Sequence, residues 1–79
     1  METEAILNHF DKMTRIADMI IAESHRIQQL EKLREEKNWL FYTINEKREW
    51  IEKFSHKMAI HKMALDRLRT YYTNNSKLN

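Results

Sequence analysis

The 79-residue chain contains no glycine and no proline, and that double absence restricts its folds more than any other feature. Average usage would supply roughly five or six glycines and about four prolines. Phosphate-cradling loops, nucleophile elbows, dinucleotide fingerprints and EF-hand turns all need glycine where the backbone must take a positive φ or approach closely. They are excluded, and most loop-built catalytic sites go with them. Helices lose their two strongest interrupters at the same time. A composition that is 42% hydrophobic and 33% charged is too apolar for charge-driven disorder, so the predicted fold class is all-α, in a single helical domain over residues 1–79.

A chain of this length buries only about 60% of the surface it would expose when unfolded. There is also no cysteine to staple it or to ligate zinc. Small helical chains of this kind gain core by associating, and a homodimer is expected. The longest apolar runs, Met19-Ile20-Ile21-Ala22 and Trp39-Leu40-Phe41-Tyr42, fall far short of the roughly 20 residues of a membrane span. The acidic start Met-Glu-Thr-Glu is unlike a secretory signal. Together these features predict a cytoplasmic protein without a membrane partner.

Residues 6–27 place Ile6, Phe10, Met13, Ala17, Ile20 and Ile27 at spacings of three, four and seven, which marks a helix face. With Leu7, Ile16, Met19 and Ile21 included, the apolar surface covers roughly 240° of the wheel, against the stripe of about 100° typical of a surface helix. A second register runs through Leu30, Leu33, Lys37, Leu40, Ile44, Lys47, Ile51, Phe54, Met58, His61, Leu65, Leu68 and Tyr72 in alternating steps of three and four. A rod of two-stranded coiled coil cannot cover a face as wide as the first. A long helical hairpin is therefore predicted, with one helix over about 3–36, a turn near 37–38, a second helix over about 39–73 and a polar tail over 74–79. Two hairpins would associate into a four-helix-type bundle. Three helices, broken near Ser24 and Thr43, are the alternative. For the turn, Asn38 tolerates the left-handed conformation, and Thr43-Ile44-Asn45-Glu46 matches the S/T-x-x-E capping box that begins a helix.

Residues with possible chemistry resolve mostly into surface pairs. No Glu-x-x-His pair of the di-iron type occurs, and His56 and His61, five apart, point away from each other on a helix. No metal, cofactor or small-molecule substrate is expected. His61 lies on the apolar register and is expected to be a hydrogen-bonded core or interface group that makes association pH-sensitive. Glu49 with Lys53, and Arg48 with Glu52, have the spacing of helix-surface ion pairs. No nucleophile, base and orienting group recur together, and the protein is predicted not to be an enzyme.

Charge is divided along the chain: residues 1–38 hold six Lys/Arg against eight Asp/Glu, and residues 39–79 hold eight against four. In the second half Lys53, Lys57, Lys62, Arg67 and Arg69 accompany Tyr71 and Tyr72, a basic and aromatic combination compatible with nucleic acid. Lys53, Lys57 and Arg67 fall on one side of the apolar register, Lys62 and Arg69 on the other, as in the flanks of a helix-pairing seam. Aromatic and sulfur-bearing side chains adapt well to partners, so Trp39, Phe41, Tyr42, Trp50, Phe54, Met58 and Tyr71 are the expected partner or dimer interface. The predicted function is protein–protein interaction, as an adaptor, inhibitor, regulator or chaperone. Binding of nucleic acid through the basic C-terminal helix is the alternative.

Overall fold

The computed structural model describes residues 2–76 as two long helices, α1 (Glu2–Glu36) and α2 (Ile44–Asn75). They fold back on each other in an extended hairpin of 64 × 16 × 13 Å. Predicted residues 77–79 of the polar tail lie outside the described residues, and α2 takes in Asn74 and Asn75.

α1 begins with Glu2 and Glu4 in its first turn and ends with Arg34 in its last, charges that complement the helix dipole. It does not break at Ser24. Ile20 and Ile27, seven residues apart, both pack into the core, and only an unbroken helix delivers them to the same side.

The second helix starts at Ile44 rather than near residue 39, and the connection spans residues 37–43. Thr43 caps α2: its hydroxyl accepts the Glu46 amide at 3.1 Å, and the Glu46 carboxylate accepts the Thr43 amide at 3.2 Å. This reciprocal box satisfies two backbone donors that a helix start leaves unpaired. Asn38 turns the chain in a different way from that predicted. Among the described residues none has positive φ, and the Asn38 side-chain oxygen instead accepts the Leu40 amide at 3.0 Å, the local bond by which asparagine competes with a helix. A further turn is closed by the Tyr42 amide donating to the Trp39 carbonyl at 3.1 Å.

Met13 and Ile27 of α1 are buried, as are Phe54, Met58 and Leu65 of α2, with Ile20, Leu30 and Trp50 packed around the cluster that includes Ile27. The α2 side of the seam follows the predicted register from Ile51 through Phe54, Met58, His61, Leu65, Leu68 and Tyr72, all buried or half-buried. Upstream the register fails: Leu40 and Ile44 are exposed, because the chain has already left α1 and α2 has only begun.

Cross-helix pairs set the alignment. Lys12 lies over the Tyr71 ring, His61 meets Glu23, and Arg34 lies over Phe54. In this antiparallel register Asn75 falls beside His9, so residues 2–8 overhang the described end of α2 by about 10 Å. Ile6 sits in line with the seam and is 44% exposed.

Leu65→Ala is expected to cost about 2–5 kcal/mol through lost burial and a residual cavity, and Thr43→Ala about 1 kcal/mol through loss of the cap. Urea melts followed by far-UV circular dichroism measure both. A Thr43→Ala melt superimposable on that of the parent would show that the cap does not stabilise α2.

Candidate interaction surfaces

An aromatic cluster closes the loop end of the hairpin. Trp39 meets Tyr42 edge-on at 5.4 Å and Trp50 at 5.1 Å between ring centroids, and Trp50 stacks on Phe54 at 5.0 Å. The Lys37 ammonium lies 4.6, 5.5 and 5.9 Å from the ring centroids of Tyr42, Trp50 and Trp39 and donates to the Tyr42 hydroxyl at 2.9 Å. Several aromatic faces around one cation favour binding electrostatically. Lys47 approaches the Trp39 ring from α2. Trp39 and Trp50 thus touch across the turn instead of standing three turns apart on one helix.

These contacts redistribute the expected interface. Phe54 and Met58 are interior to the hairpin, and Trp50 packs against them. Trp39 is half-buried, whereas Tyr42 and Tyr71 keep more than a third of their surface and Phe41 keeps 87%. Leu40, Phe41 and Ile44 form an apolar tip, held out by the same turn that folds Trp39 and Tyr42 inward.

Among the described residues one side-chain hydrogen-bonded pair joins the two helices. The Nδ1–H of His61 donates to Glu23 Oε2 at 2.7 Å, and Arg26 holds the other oxygen of the same carboxylate. Both Glu23 and His61 are largely shielded from solvent. The hydrogen bond from His61 holds the Glu23 carboxyl below the usual carboxylate range, aided by Arg26, and partial burial opposes the shift. His61 was expected in the core or an interface; it lies in the intramolecular seam. The other salt bridges among the described residues, Asp11–Arg15 and Lys32–Glu36 in addition to Glu23–Arg26, stay within α1. The acidic and basic helices therefore lie side by side without a Lys/Arg–carboxylate bridge between them.

Beyond the seam, each helix leaves rows of side chains on two faces of the hairpin. On one face α1 presents Leu7, Phe10, Thr14, Ala17, Ile21, Ser24 and Gln28, stepped by three and four with no charge. Leu7, Phe10 and Ile21 are 62%, 54% and 66% exposed. Spacing among the N-terminal apolar residues carried this signal in the sequence, but it was indistinguishable there from the hairpin's own seam.

The opposite face is basic. Arg26, Leu30, Leu33, Lys57 and His61 line one hollow, and Met19, Arg26, Ala64, Arg67 and Leu68 line the next. Lys57 and Arg67 thus converge with Arg26 of α1, and Lys53 occupies the same helical row. Lys62 lies in a hollow on the other side with Glu31, Glu35 and Arg34, and Arg69 is one heptad further along that row. The five predicted bases do not form one site.

Among the described residues no three His, Asp or Glu side chains gather as a metal site, and no helix is long and apolar enough to cross a membrane. No family model, curated protein or solved structure matches the chain.

Because the carboxyl of Glu23 titrates below its unfolded value, the pair contributes its full stability above the ordinary carboxylate range. That contribution is lost as pH falls through the lowered folded value. The urea midpoint is expected to drop on acidification in this window, and Glu23→Gln should flatten the drop. An acid limb of equal steepness in both proteins would show that the pair does not govern it.

Proposed function

We propose that the protein is a non-enzymatic, cytoplasmic protein-interaction module that works as a helical-bundle homodimer. The observation that carries this reading is the uncharged row from Leu7 to Gln28, with three large apolar side chains more than half exposed. Alternating steps of three and four are the repeat by which helices pack knobs into holes. A two-helix protein with so few buried side chains gains the core it lacks when a second copy covers that row, completing a four-helix bundle.

Nucleic acid is the second reading, supported by the convergence of Arg26, Lys57 and Arg67 on one face. The floor between these cations is aliphatic, formed by Met19, Leu30, Leu33 and Ala64, and a base-stacking platform would call for aromatic rings there.

Sedimentation velocity tests the dimer. The parent protein is expected to sediment as a dimer, and Phe10→Glu with Ile21→Glu as a monomer. Helicity should persist, since both side chains lie outside the hairpin core. A monomeric parent at all accessible concentrations, or a double variant that remains dimeric, rejects the row as the seam.

A further inference from the structure

We infer that the basic face is a docking groove for a helix of acidic, amphipathic chemistry from a partner protein. This goes beyond self-association and uses the face opposite the proposed dimer seam. On α2, residues Lys53, Lys57, Ile60, Ala64, Arg67 and Tyr71 follow one another in steps of three and four. On α1, Ile16, Met19, Glu23, Arg26, Leu30 and Leu33 do the same. Arg26 with Lys57, and Met19 with Ala64 and Arg67, line common hollows, so the two rows flank one furrow. Two antiparallel helices that present apolar side chains among charged ones on either side of a furrow are shaped to receive a third helix.

Charge selects the occupant. The α2 row contains three cations and no acid, and the α1 row adds Arg26. Its one acid, Glu23, is already held by His61 and Arg26. The basic side chains of the α2 row have no salt-bridge partner among the described residues. A helix with an aliphatic stripe and glutamates or aspartates on its flanks would bury Met19, Leu33 and Ile60 beneath it. Its carboxylates would then meet Lys53, Lys57 and Arg67, supplying complementarity and orientation together. A second copy fits less well: α2 is itself basic, and the aliphatic row that Glu4, Asp11 and Asp18 of α1 flank, through Leu7 and Ile21, is the one assigned to the dimer seam.

The test titrates full-length protein with a fluorescent, capped peptide of about three heptads, leucine at the seam positions and glutamate on the flanks. Anisotropy should report saturable binding that weakens as salt rises from about 50 to about 300 mM. Lys57→Glu with Arg67→Glu should weaken it by tenfold or more, on the order of one close charge pair lost. Lys62→Glu with Arg69→Glu, on the other face, should leave it within about twofold. Leu33→Lys distinguishes the ligand class: it removes floor and adds charge, so peptide binding should fall, whereas binding of a single-stranded oligonucleotide would rise. Failure of the peptide to bind, an oligonucleotide bound more tightly than the peptide, or equal losses from charge reversal on both faces would each overturn the proposal. Phe10→Glu with Ile21→Glu keeps the dimer question separate, because that protein should still bind the peptide.

Discussion

The reversal at residues 37–43 is the constraint on which the rest of the hairpin depends, because it fixes which residues of α1 can reach which residues of α2. Glycine and proline are absent, so side chains turn the chain. Asn38 folds its oxygen onto the backbone, Thr43 and Glu46 exchange bonds across the start of α2, and Lys37 sits among Tyr42, Trp50 and Trp39. Residues 37–43 would extend a helix at little cost in propensity. Packing of Trp39 against Trp50 and Tyr42, with Trp50 stacked on Phe54, outweighs that local preference by joining the loop to the core.

Once the turn is set, the geometry of a helix pair limits what can be buried. Each helix offers one stripe to the other, and the residues about 100° to either side remain at the surface. The wide apolar face of α1 is therefore divided three ways. Met13, Ile20 and Ile27 enter the seam, Leu7, Phe10 and Ile21 are left on one flank, and Met19 and Leu33 on the other. Charge distinguishes the two flanks. One α1 row is neutral; the other lies beside Lys57 and Arg67. The proposed roles follow from that difference, with self-pairing assigned to the neutral row and an acidic helix to the basic furrow.

The polar connection between the helices is narrow. The two halves carry opposite net charge, yet among the described residues the side-chain hydrogen bond that crosses the seam is that of Glu23 with His61. Lysine and arginine side chains on α2 instead project along the flanks. A long cation beside an apolar seam can cover it with its methylene stem while its head stays in water, which leaves these charges available for contacts beyond the hairpin.

The parts legible in the sequence were those decided within a few residues. Helix formation followed from composition and spacing, the α2 seam from Ile51 to Tyr72 from steps of three and four, and the Thr43 cap from its own motif. The spacing and the cap are both read between residues no more than about four apart. The sequence also carried the separation of Lys53, Lys57 and Arg67 from Lys62 and Arg69, since one helix determines it. It could not choose between residue 39 and the Thr43 cap for the start of α2, because Trp39, Leu40, Phe41 and Tyr42 look helical until Trp50 is brought against Trp39. Nor could it show that Phe54 and Met58 belong to the hairpin core, that Phe41 stands in solvent, or that Arg26 joins Lys57 and Arg67. Those outcomes depend on contacts between residues far apart in sequence, and only the antiparallel register of α1 and α2 decides them.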